Sequence, residues 1–171
     1  MKYRLYMVLL IGAVVLCVCG VAFAQSADEW NVKGDERYDA GDFDTAIEYY
    51  TKAIELNPEF SLAYFSRASA YSNLGWYEEA IIDYTRAIEL SPEFAMLYGN
   101  RGAVYNELGR YEEALVDLNK AIELDPVYVN AYNNRGYTYY MLGDMKKARV
   151  DLKKACEMGF EPACQNYEAI K

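Results

Sequence analysis

The feature that most constrains this chain is its period. Aligned from Ala27, Ser61, Ala95 and Val129, four blocks of 34 residues (27–60, 61–94, 95–128 and 129–162) carry the same residue types at the same offsets. The fourth position holds Trp30, Tyr64, Tyr98 and Tyr132, and the eighth holds Gly34, Ala68, Gly102 and Gly136. Alanine fills the twentieth position (Ala46, Ala80, Ala114, Ala148) and the twenty-seventh (Ala53, Ala87, Ala121, Ala155), while Tyr50, Tyr84, Leu118 and Leu152 stand between them. In each block the apolar residues fall at helical spacing in two runs, separated by Gly41, Gly75, Gly109 or Gly143. A glycine there ends a helix, so each block reads as helix, tight turn and helix. Small residues at the eighth, twentieth and twenty-seventh positions let the two helices approach. One hairpin cannot bury its apolar face alone, and the blocks must stack.

Between blocks, Asn57-Pro58, Ser91-Pro92 and Asp125-Pro126 place a capping side chain before a proline, which predicts the first turn of each following helix there.

These concordant copies resemble the tetratricopeptide repeat family over residues 27 to about 160. The resemblance implies an all-α fold, a right-handed α-solenoid of four helix-turn-helix repeats, followed by a short capping helix over residues 161–171. At the seventh position, where the family often has leucine, blocks two to four carry Arg67, Arg101 and Arg135; at the twenty-third they carry Asp83, Asp117 and Asp151. Both positions lie equally far from the turn glycine, so the hairpin should bring each pair to one height as a structural ion pair. Block one has Lys33 and Tyr49 instead and loses both partners together.

The fourth block breaks the pattern at its end, reading KKACEMGFEPACQNYEAIK from Lys153. The junction is similar to that of Sel1-like repeats, whose cysteine-rich members link two helices with the same C-x7-C spacing. That similarity implies a Cys156–Cys164 disulfide, with two buried thiols as the alternative.

The first 24 residues obey different rules. Lys2 and Arg4 precede an uncharged apolar run from Leu5 to Phe23, and Ala22-Phe23-Ala24 supplies small residues suited to cleavage: the layout of a secretory signal peptide. The chain is expected to be exported, to the periplasm if bacterial or else secreted, and an uncleaved anchor over residues 5–24 stays open as the one route to a membrane. All 26 acidic residues and 15 of the 17 basic ones lie beyond Ala24, an excess of eleven acids that repels nucleic acid and anionic lipid. With no histidine at all, imidazole triads and the commonest metal ligand are absent. Paired acids such as Glu78-Glu79 and Glu112-Glu113 recur at equivalent offsets beside a helix start, where carboxylates favour the helix dipole. No cofactor, metal or enzymatic activity is expected.

In the family the resemblance implies, the first helices line a concave groove through positions two, five, six, nine, twelve and thirteen. Carried over, these give Asp28, Asn31, Asp35, Tyr38 and Asp39 in block one, and Phe65, Ser66, Ser69 and Asn73 in block two. Block three adds Met96, Asn100 and Asn106, and block four Asn130, Asn133, Asn134, Tyr137 and Tyr140. This floor is acidic at one end, amide-rich and aromatic at the other, and lacks Lys and Arg. The expected ligand is a protein or extended peptide, neutral or basic rather than a terminal carboxylate. Self-association through open solenoid ends is the alternative. Of the 18 tyrosines, two lie in the first 24 residues and ten occupy repeated core positions; among the other six, Tyr38, Tyr128, Tyr137 and Tyr140 are the groove candidates.

Overall fold

Each repeat turns on its glycine. Gly41, Gly75, Gly109 and Gly143 adopt φ of 77, 78, 70 and 80°, the left-handed region that a side chain disfavours. The computed structural model describes residues 25–170; the segment read as a signal, with Cys17 and Cys19, lies outside the described residues, as does Lys171. Within them the chain is helical: α1 (Ala27–Asp39), α2 (Phe43–Leu56), α3 (Ser61–Asn73), α4 (Tyr77–Leu90), α5 (Ala95–Glu107), α6 (Tyr111–Leu124), α7 (Val129–Met141), α8 (Met145–Glu157) and α9 (Glu161–Ala169). Helices pack on their neighbours in sequence, and first helices of adjacent repeats also touch, α1 with α3 and α5 with α7. The first helices therefore form the inner layer of an α-solenoid and the second helices its outer layer.

Helix starts use three devices. Ser26 and Glu29 close a capping box on α1, each side chain meeting the other's backbone N–H at 3.2 Å. Asp42 and Asp144 cap α2 and α8 by accepting from the N–H of Thr45 and Lys147. Glu78-Glu79 and Glu112-Glu113 stand in the first turns of α4 and α6.

The inter-repeat prolines differ from expectation. Asn57, Ser91 and Asp125 cap the carboxyl ends of α2, α4 and α6, and the next helices begin at Ser61, Ala95 and Val129 without a side-chain cap. The Asn57 Oδ1 accepts from the Glu59 N–H at 3.1 Å and the Asp125 Oδ1 from that of Val127 at 3.0 Å. Each is a local turn that bonds two residues on. The physical reason lies in the proline: it drives the preceding residue out of helical conformation, and Asn57 sits at φ −139°, ψ 92°. Only Pro162 stands in a first helical turn, that of α9.

Alanines at the twentieth and twenty-seventh positions are fully buried in every repeat. Contact between paired helices is so close that a Cβ on Gly102 would meet the Leu118 Cγ at 2.8 Å. Repeats are then tied by a three-point bracket. Arg101 gives its Nε and Nη2 to the two oxygens of Asp117 at 2.7 and 2.8 Å, and its Nη1 to the Thr85 hydroxyl of the preceding repeat at 2.8 Å. Arg67 does the same with Asp83 and Thr51, and Arg135 with Asp151 and Asn119. The aspartate side chains are 4–5% exposed, so each pair is desolvated and bidentate.

The two ends are finished differently. Block one, lacking the pair, packs the Trp30 ring 5.3 Å from that of Tyr49 and places the Lys33 and Lys52 ammonium groups over Trp30 at 4.8 and 4.5 Å. At the other end α9 folds back on α8, joined by a Cys156–Cys164 disulfide with Cα atoms 4.6 Å apart. Arg149 holds this cap by donating to the Ile170 carbonyl at 2.8 Å and the Tyr167 hydroxyl at 3.3 Å.

Two outcomes follow for stability. Asp117→Ala strands a buried guanidinium and lowers the unfolding free energy by about 3 kcal/mol, whereas Arg101→Met combined with Asp117→Leu recovers most of the loss; urea denaturation reads both. Cys164→Ser removes a short closed loop, costs about 2.5 kcal/mol and raises amide exchange in α9, with α4 and α5 unchanged.

Candidate functional site

The inner layer carries the groove, and its polar side chains are organised in three stretches. At the amino-terminal end, the Asp35 carboxylate accepts from the Tyr50 hydroxyl at 2.9 Å and from the Asn31 Nδ2 at 3.2 Å. Burial raises the Asp35 pKa; the Tyr50 hydrogen bond opposes this and the Asp39 charge adds to it. Burial, then the bond to Asp35, likewise pushes the Tyr50 hydroxyl up.

In the middle, Tyr38, Ser69 and Asn100 border two adjoining recesses. One, of about 300 Å³, adds Asp35, Tyr50, Phe65 and Ser66; the other, of about 280 Å³, adds Ser72, Asn73, Tyr84, Ala103, Val104 and Glu107. Asn73 donates to the Tyr38 hydroxyl at 2.8 Å, bridging α1 and α3, and the Ser69 and Tyr84 hydroxyls meet at 3.1 Å. Burial pushes the Tyr84 hydroxyl up to about 12. The Tyr128 hydroxyl reaches the Asn100 Oδ1 at 3.4 Å.

At the carboxyl-terminal end, Tyr137 and Tyr140 stand exposed and border a mainly apolar recess of about 240 Å³ closed by Leu152, Asn166, Ala169 and Ile170. Asn133 donates to the Asn134 Oδ1 at 3.4 Å. Asn106 is placed differently from its neighbours: it is buried, donates to the Asn134 carbonyl at 3.2 Å and accepts from the Thr138 hydroxyl at 2.8 Å. It is thus an inter-repeat bracket under the groove.

Two contributions escaped the sequence reading. Tyr50 and Tyr84 occupy core positions, yet their hydroxyls emerge into the groove floor; the signal was present, since blocks three and four have Leu118 and Leu152 at the same offset. Glu107, at the thirteenth position, adds a fourth acid to Asp28, Asp35 and Asp39. None of these four forms an ion pair among the described residues.

An inner layer of first helices with a polar and aromatic floor is the anatomy of a helical-repeat interaction module. The particular family is shown by sequence: tetratricopeptide repeat models match residues 31–95, 83–116, 104–143 and 129–158, and the chain belongs to that family. It is 41% identical over 49 residues to the Homo sapiens small glutamine-rich tetratricopeptide repeat-containing protein alpha, a match covering 29% of this chain and 16% of the relative. The chain thus spans only a small part of that curated relative. Among solved structures it is similar to MamA, 27% identical with a TM-score of 0.73 over 80% of this chain and 81% of that one. It is similar also to the first tetratricopeptide repeat domain of Spaghetti (RPAP3) bound to the HSP90 peptide SRMEEVD, 28% identical with a TM-score of 0.62 over 64% of this chain and 89% of that one.

The Asp35 environment sets a pH dependence. Because the folded chain holds this proton more tightly than the unfolded chain, the folded state gains stability as pH falls through the raised titration range. Asp35→Asn keeps an acceptor for Tyr50 and removes the charge. In urea the variant outlasts the wild type at neutral pH, and the difference narrows in acid.

Proposed function

We propose that this chain is an exported interaction module that holds an extended, neutral or basic segment of a partner protein along its inner face while a cell-envelope complex assembles. The observation that carries the reading is the groove's composition: four carboxylates without ion-pair partners, a run of asparagines, and tyrosines, with no Lys or Arg at the groove positions. Asparagine both donates to and accepts from a peptide backbone, giving a grip that tolerates sequence, and tyrosine adds contact area at low entropic cost. The Spaghetti domain supports peptide binding by this fold. Its peptide, SRMEEVD, carries three acidic residues, and an acidic floor selects against such a ligand by like-charge repulsion. Export rests on the pattern of residues 1–24.

Affinity capture from an envelope fraction, with the intact chain and with Asn100→Ala/Asn134→Ala/Tyr137→Ala as paired baits, tests this. The intact bait retains a partner that the triple variant loses, while their melting curves coincide. Equal recovery by both baits overturns the groove assignment.

A further inference from the structure

The recess of about 300 Å³ beneath Tyr38 has the construction of a cation site. Its carboxylate, Asp35, is held in place by two donors, the Tyr50 hydroxyl and the Asn31 Nδ2. A carboxylate has about four acceptor positions, so about two remain for an incoming group. Among the described residues no Lys or Arg pairs with Asp35. The lysine of α1, Lys33, leaves the helix on another face and stands over the Trp30 ring. The walls are aromatic: the Tyr38 ring is braced edge-on by Phe43 at 5.3 Å and the Phe65 ring lies 6.0 Å from Tyr84. Ser69 and Asn100 add oxygen acceptors at the rim.

We infer that this recess takes a lysine or arginine side chain of the partner segment, with its cationic head on Asp35 and its alkyl stem between Tyr38 and Phe65. The inference rests on the groove reading above and names the first specificity position within it. The argument is one of compensation. Asp35 is partly desolvated by folding and is left without a counter-ion, and a cation entering the recess supplies the charge that the fold withholds. Rings that face a cation attract it through their quadrupole, and this adds most where water is excluded. Burial, with Asp39 adding to it, holds the Asp35 proton on. A bound cation drives that proton off, so binding strengthens as pH rises through the acid range. The groups facing Asp35 are Asn31, Tyr38 and Asp39 on α1, Tyr50 on α2, Phe65, Ser66 and Ser69 on α3, and Asn100 on α5; Asp39 is the only other charged group among them.

The test uses the full chain after the signal and two small probes, N-acetyl-arginine methylamide and its neutral isostere N-acetyl-citrulline methylamide, titrated by nuclear magnetic resonance. The arginine probe binds about tenfold more tightly than the citrulline probe and shifts the resonances of Tyr38, Phe65 and Ser69. A parallel titration with the lysine analogue ranks the two cations. Asp35→Asn, which keeps the Tyr50 hydrogen bond, abolishes the preference. Equal binding of arginine and citrulline probes overturns the inference, as does a shift map centred on the exposed acids of α4 and α6. If the paired-bait capture succeeds while the arginine probe shows no preference, the cation site falls and the groove reading stands.

Discussion

The guanidinium fork of Arg101 is the contact on which the array depends. Its planar donors satisfy both oxygens of Asp117 and still reach Thr85 in the repeat before. One side chain thereby fixes the separation of two helices in a hairpin and the position of that hairpin on its neighbour. Lysine, with a compact head and no fixed fork, could not serve three acceptors on two other helices in this way. Alanine contacts and glycine close approaches set how near helices come; the bracket sets their height. Because hydrophobic burial is non-directional, the register of a stacked array needs such a directional element.

This arrangement leaves the inner layer free to vary. The bracket, the alanines and the turn glycines sit away from the groove, so Asn100, Tyr137 or Asp35 can differ between repeats without disturbing the stack. Asn106 and Thr138 cross between the roles, buried under the groove and joining α5 to α7, as do Tyr50 and Tyr84, whose rings are core and whose hydroxyls reach the groove. The groove is therefore a surface of individual residues on a floor of repeated ones.

Sequence alone conveyed whatever recurs. The turn glycines and the Arg–Asp pairs are legible because a repeat shows the same solution several times. The reading failed at the Asx-Pro pairs because Asn57 before Pro58 has the composition of a helix cap and of a local turn alike, and the two differ only in which N–H the side chain meets. The third arm of the bracket was hidden by a one-repeat offset: arginine begins in block two, whereas its Thr51, Thr85 and Asn119 partners begin in block one and stop before Lys153. Tyr50 and Tyr84 were hidden for another reason, since a tyrosine can be core by its ring and groove by its hydroxyl. Asn106 misled in the opposite sense, because a groove position does not reveal that a neighbour's Thr138 covers it. Residues 1–24 speak only through their pattern.

The staggered bracket also bears on how such a chain changes length. The first repeat supplies an acceptor but no fork, and the last supplies a fork but carries Lys153, not an acceptor, and is sealed by its disulfide-linked helix. A hairpin appended at either end would find no matching half of the bracket. A hairpin duplicated from the interior would bring both halves and leave every junction intact. The architecture thus makes growth an internal event, and the likeness of the turns and second helices of the second and third repeats, from GWYEEA to GRYEEA, lies at the place where that rule permits copies to arise.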